Sequence, residues 1–505
     1  MNRKIKIAVS SVLTLSMVLS LTACNESAQT EEIITTNADF VPLQEFIETT
    51  VVDRYKAAIA GTINENMTVD KKIKYLGWWP IDETQASTEL FKAVYGIPEA
   101  GDESYGNQAN SIFKYQSVAY ADRYTQLTKA VQAGDSPDIF QFELANYPFT
   151  VWKNLFEPVD DYIDFSTSLW DHTRDAMKMV EWNGKNYCPV TSVNLNYILW
   201  YRKSVVKEAG IDDPYELYKQ GKWDWNTFLD LCSKFSDPDN EKYCIDGYNV
   251  AASFVCTTGV PIIDIVDGKL QSNVNDPNIE RCVNTVISTL AKQNYRFPRH
   301  ETEAWSLNYQ GWVIGDELFW NDLGNAVKDS FQTSIKTYEW EDGDIFCVPY
   351  PKDPEADQYY HGMKLDPWML CSGSQNTSGY AAWNLCSAAI ASDTEISDRL
   401  SEISHEQLMT NYVGHSEELL DFLDELQGPN SPLVPVFDFK TGLGEDVVDT
   451  QSAKNPVDGL IEIPYNDGLD NDGNPATFTS WRDANFSEGS DVMKRINDIN
   501  NGTGA

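Results

Sequence analysis

Positive charge is scarce in this chain: 38 lysines and arginines stand against 77 aspartates and glutamates, a formal net charge of −39. A surface of that sign repels nucleic acid and anionic lipid headgroups, so neither is expected as a partner of the folded body. Histidine is scarcer still, with His172, His300, His361, His405 and His415 scattered and without metal-ligand spacing. The chain contains no HExxH, GxSxG or GxxxxGK[ST] segment, which leaves no local basis for a zinc hydrolase, a serine-hydrolase elbow or a phosphate-binding loop. No CxxC pair occurs among the nine cysteines, and that excludes a zinc ribbon. The acidic run from Asp467 to Asn474 fails as a calcium loop: with Gly473 at the sixth position, Gly468 and Thr479 fall where Asp and Glu are required. No repeat of 20–50 residues is present, and past the first two dozen residues no apolar stretch is long enough to cross a bilayer.

What is present begins at the amino terminus. Arg3, Lys4 and Lys6 precede the apolar stretch Ile7–Leu21, which ends in Leu21-Thr22-Ala23-Cys24. This resembles a bacterial lipoprotein signal. The resemblance implies that residues 1–23 are removed and that Cys24 carries a diacylglyceryl thioether anchoring the chain to the membrane; an ordinary secretory signal with an incidental cysteine is the alternative. Residues 24–69 are then anchor, polar tether and a leading helix, since Val41, Leu43, Phe46, Ile47, Val51 and Tyr55 recur at helical spacing. Of the other eight cysteines, Cys282, Cys371 and Cys386 sit in apolar or mixed segments like small buried hydrophobes. Mostly free thiols are expected, with Cys232 and Cys244 the pair to be bridged.

At 505 residues the chain is too long for one core, and 42% hydrophobic and 12% aromatic content is that of a folded protein, so two lobes are expected. Lys72–Gly77 alternates and stops at glycine like a first strand, and strands and helices alternate beyond it, the pattern of α/β layers. Within 124–140 a helical run ends at Gly134-Asp135-Ser136-Pro137-Asp138 and a strand-like Ile139-Phe140-Gln141-Phe142 follows. Then come Pro158-Val159-Asp160-Asp161, the hairpin Asn183-Gly184-Lys185-Asn186-Tyr187-Cys188-Pro189, the run Ile198–Lys203 with Glu208–Pro214, and Trp223-Asp224-Trp225. In that order these motifs resemble the extracellular solute-binding proteins of ABC importers, the maltose-type family. The resemblance implies an α/β, two-lobed periplasmic-binding-protein type II fold with crossing hinge strands, the first lobe from 70–190 plus 368–397 and the second from 195–365 plus 398–505. A ligand would be clamped between the lobes and passed to ABC permease subunits by a protein that is a monomer.

Fifteen tryptophans, many in turn-rich segments, suit a carbohydrate, because an indole offers a flat apolar face to the C–H face of a pyranose while carboxylates and amides take its hydroxyls. Trp78 and Trp79 follow the first strand directly, and one of the two is expected to meet ligand while the other packs. Phe142, Glu143 and Asn146 follow the Pro137-Asp138-Ile139 strand, where the family contacts its ligand. Asn194 and Asn196 lie near its polar sugar contact, and Trp312, Trp320 and Trp368 are the remaining aromatic candidates, Trp320 resembling the family's sugar platform. Trp223 and Trp225 read as structural. The expectation is a receptor for a sugar or oligosaccharide without catalytic residues, cofactor or metal. The alternatives are a surface glycoside hydrolase, or the same fold binding a non-sugar solute such as a peptide or polyamine.

Overall fold

The computed structural model of the chain describes residues 43–83, 85–98, 111–298, 307–326, 331–411, 414, 416–427, 431–439, 456–466, 468 and 475–503. Cys24, the signal, the tether and nearly all of the 467–474 run lie outside them. The chain folds as two compact units, the first ending at Phe142 and resuming over Asn154–Val193 and Asp366–Ser404, the second built from Glu143–Lys153, Asn194–Leu365 and the chain from His405. The excursion 143–153 thus groups with the second unit, and 398–404 with the first, where the sequence suggests the reverse.

Unit 1 is organised by a four-stranded sheet in the order Trp368–Leu370, Ile139–Gln141, Ile73–Gly77, Phe113–Ser117. The last three strands run parallel, with Ile73 opposite Phe113 and Tyr75 opposite Ile139, while the returning strand is antiparallel, Met369 facing Phe140. Parallel strands are buried on both faces, and Ile73, Tyr75, Leu76, Ile139 and Phe140 are all core. The Gly-Asp-x-Pro-Asp motif has a structural role here. Gly134 ends the Arg123–Ala133 helix in the left-handed region at φ 71°, and the Asp135 N–H closes onto the Ala130 carbonyl at 3.1 Å. Asp138 then accepts from the Lys74 N–H and from the Ser374 hydroxyl, each at 2.7 Å, so one buried carboxylate ties the central strand to the return segment. Burial pushes that carboxyl above the usual carboxylate range, opposed by those hydrogen bonds. The helical run 43–58 is docked rather than loose: Phe46, Ile47, Val51 and Tyr55 are buried, and Arg54 forks onto Asp393 and Glu395 at 2.7 Å each.

Unit 2 has its own sheet, ordered Ile345–Val348, Tyr197–Arg202, Glu317–Leu323, Tyr243–Gly247, in which only the last pair is parallel. Its core is aromatic. Trp223 and Trp225 are fully buried; their indole N–H groups donate to the Pro349 carbonyl at 2.8 Å and to the Thr257 hydroxyl at 3.0 Å, a structural role for both rings. Gly247 is required by its neighbour, because a Cβ there would lie 2.3 Å from the Asn321 carbonyl oxygen. Cys232 and Cys244 form a disulfide joining the Trp225–Phe235 helix to the Tyr243–Gly247 strand; Cys188, Cys256, Cys282, Cys347, Cys371 and Cys386 are buried and not disulfide-bonded. Among the described residues no helix is long and apolar enough to cross a membrane.

Candidate ligand-binding residues

In open α/β sheets ligands meet the carboxyl ends of strands, so that edge of each unit is the place to look. In unit 1 the Ile73–Gly77 strand runs directly into Trp78 and Trp79. The two indoles meet edge-on, centroids 4.5 Å apart at 88°, and Trp78 makes a second edge-on contact with Tyr120 at 5.2 Å and 81°. Trp78 also leans on the buried Phe140 ring at 6.2 Å. The consequence is a division of labour: Trp78 is half-buried, while Trp79 is 37% exposed and Tyr120 53% exposed. Beneath them lies Arg123, buried, its guanidinium 3.8 Å from the Tyr120 centroid and 5.7 Å from that of Trp78. Tyr120 escapes sequence reading because it sits alone on the short turn Tyr120–Asp122, where no periodicity marks its face.

Trp368 occupies a second place on unit 1. It is half-buried, edge-on to Tyr75 at 5.1 Å, and lines a pocket with Gln85, Ser87, Ser192, Asp366 and Trp383. The Trp383 indole N–H is buried there without a hydrogen-bond partner. Phe142 is buried and its backbone N–H donates to the Pro367 carbonyl at 3.1 Å, so its ring packs rather than presenting a face.

Unit 2 treats its candidate rings differently. Trp312 is 1% exposed, packed against Phe331 at 4.7 Å and edge-on to Trp340 at 5.5 Å, so its ring belongs to the core. Trp320 is 2% exposed in the middle of a strand covered on both faces, and its N–H is already engaged by the Asp322 carboxylate at 3.0 Å. Burial raises the Asp322 carboxyl, and the Trp320 and Leu323 N–H groups oppose the shift. An exposed aromatic at this edge is Tyr248, 40% exposed and edge-on to Trp320 at 6.0 Å, which the sequence reading missed. Glu143 and Asn146 do come together: the Asn146 amide donates to the half-buried Glu143 carboxylate at 3.1 Å across one short turn. Asn194 is buried within the Val193–Leu195 strand, and half-buried Asn196 accepts from the Gly324 N–H through its carbonyl at 3.1 Å. Among the described residues no group of three or more His, Cys, Asp or Glu is placed to hold a metal ion.

Residues 113–296 match the family profile described as bacterial extracellular solute-binding protein. The fold agrees. An ABC substrate-binding protein from Listeria monocytogenes in complex with cycloalternan superposes with a TM-score of 0.52 at 14% identity, over 86% of this chain and 99% of that one. The sugar-binding protein MalE from Xanthomonas citri gives 0.51 at 14% over 85% and 97%, and an ABC transporter associated binding protein from B. animalis subsp. lactis, in complex with β-1,6-galactobiose, gives 0.52 at 12% over 86% and 99%. No curated protein matches the chain in sequence. Residues 113–296 therefore carry the profile of bacterial extracellular solute-binding proteins, and the chain has the fold of ABC substrate-binding and sugar-binding proteins.

Proposed function

We propose that this chain is a receptor that captures a sugar or short oligosaccharide and delivers it to an ABC permease, held at the cell membrane through a lipidated Cys24 and performing no chemistry of its own. The observation that carries the reading is the right-angled aromatic cluster Trp78, Trp79 and Tyr120 at the carboxyl end of the central strand of unit 1, with two of its three rings exposed. Exposed rings fixed by a half-buried one are what C–H stacking needs, since the area is apolar and its ordering is settled before the ligand arrives. Trp79 and Tyr120 are the stacking residues, Trp78 their support and Trp368 a further ring of the same unit. Glu143 and Asn146, which belong to unit 2, are polar groups suited to pair with sugar hydroxyls. The oligosaccharide complexes among the structural relatives support the same class of ligand.

A thermal-shift and tryptophan-fluorescence screen against mono- and oligosaccharides, including cycloalternan and β-1,6-galactobiose, tests the reading. At 100 times its Kd a true ligand raises stability by about 2.7 kcal/mol, and the sugar should be recovered intact after hours of incubation. Binding confined to peptides or polyamines, or steady release of reducing ends, would overturn it. The anchor is tested separately: Cys24→Ser should leave the membrane fraction or accumulate as precursor, and unchanged fractionation would remove it.

A further inference from the structure

One cation sits within the aromatic cluster of unit 1. Arg123 is the first residue of the Arg123–Ala133 helix, where the helix dipole favours an acid over a base, and it is buried. The helix start by itself therefore gives no reason for an arginine at this position, whereas its ring contacts do. The guanidinium carbon lies 3.8 Å from the Tyr120 centroid, 4.7 Å from that of Tyr124 and 5.7 Å from that of Trp78, and Nη1 donates to the Tyr120 carbonyl oxygen at 2.7 Å. Ring and backbone of Tyr120 are thus held by one side chain. A planar cation at that distance covers one face of the phenol and Trp78 meets it edge-on at 81°, while 53% of the residue stays exposed.

We propose that Arg123 is a positioning residue for the binding platform: it fixes the Tyr120 ring from behind so that a single face is offered to the ligand. The inference rests on reading the cluster as a sugar platform, and its value lies in preorganisation, because a tyrosine on an exposed turn would otherwise lose rotamer freedom on every binding event. Arg123 does not touch the sugar. A lysine at this position keeps the charge but loses the planar fork that lies along the ring and reaches the carbonyl.

Two measurements on the full chain test this. Without ligand, Arg123→Met should lose part of the near-ultraviolet dichroism of the Trp78–Tyr120 pair with the far-ultraviolet spectrum unchanged, and Arg123→Lys should fall between; an unaltered near-ultraviolet spectrum would overturn the positioning role whether or not any sugar binds. With the tightest-binding sugar of the panel, Arg123→Met should weaken affinity about tenfold in the wild-type background and less than about twofold in a Tyr120→Ala background. Equal losses in both backgrounds would mean that Arg123 acts elsewhere, and no loss in either would also overturn it. Failure of the wild type to bind any sugar would strike the sugar reading instead, and the dichroism would still decide the role of Arg123.

Discussion

The two units of this protein place their candidate aromatic side chains differently, and the placement decides which of them reach the surface. In unit 1, Trp79 and Tyr120 stand out from the fold on a half-buried Trp78, with a cation behind them. In unit 2, Trp312 and Trp320 are sunk among Tyr309, Phe331 and Trp340, and the one indole N–H of the two that finds a partner finds a buried carboxylate. For Trp320 the difference follows from position along the strand, while Trp312 lies on the helix Tyr309–Ile314 and is packed against the core. Trp78 and Trp79 come after the last residue of theirs, where the chain leaves the sheet, whereas Trp320 lies at the centre of Glu317–Leu323, six of whose seven residues are buried. Of these rings, only Trp79, beyond the end of its strand, is well exposed.

That contrast can be broken most sharply in unit 2. Trp312→Ala should destabilise by about 3–5 kcal/mol in chemical denaturation, the cost of truncating a buried tryptophan, while Trp79→Ala should change stability by less than about 1 kcal/mol. Comparable losses at the two positions would erase the distinction between core ring and platform.

The next largest effect concerns His361, also in unit 2. It is fully buried, its Nδ1 bonded to the Gly362 carbonyl at 3.0 Å and its Nε2 without a partner. Burial lowers its pKa from 6.5 to about 4. A folded-state pKa below the unfolded one means that the neutral ring favours the fold, so this contribution is complete above pH 6.5 and is lost as pH falls through about 4. On the order of 3 kcal/mol is at stake, and His361→Gln should remove most of the difference in unfolding free energy between pH 7 and pH 4. A variant with the wild-type pH profile would show that other groups govern acid sensitivity.

Reduction of Cys232–Cys244, which closes a loop of sequence separation 12, should cost about 2–3 kcal/mol. If the units unfold in separate transitions, the reductant should move the one that belongs to unit 2. Displacement of the unit 1 transition instead would mean that the described thiols of that unit, Cys188, Cys371 and Cys386, are not free.

Much of the fold is legible in the sequence because its punctuation is local. Gly134 and Pro137 end a helix and start a strand through their own backbone limits, and Asp267-Gly268, both at positive φ, turn the small hairpin of Ile263–Val266 and Lys269–Ser272. Asp138 is legible as part of a motif, but its bonds to Lys74 and Ser374 join residues 64 and 236 positions away, beyond any local pattern. The rings divide in the same way. Trp78-Trp79-Pro80 follows a strand that ends in glycine, and its position alone suggests a loop edge. Trp320 carries a cue that reading for platforms passes over: Asp322 two residues on shares its face of the strand and can bond the indole N–H, which marks a satisfied interior residue. Tyr120 carries no cue at all, since its exposure depends on Trp78 and Arg123 arriving from other segments.

The central claim, that the exposed pair Trp79 and Tyr120 binds the ligand and the buried pair Trp312 and Trp320 does not, is tested most directly by one set of sugar titrations followed by intrinsic fluorescence. With the tightest ligand of the panel, Trp79→Ala and Tyr120→Ala should each weaken binding by tenfold or more, on the scale of about 1.4 kcal/mol per decade, with melting temperatures near wild type. Trp320→Phe should keep the wild-type Kd. Full affinity in both Trp79→Ala and Tyr120→Ala, with binding lost in a folded Trp320→Phe, would contradict the account and move the site to unit 2.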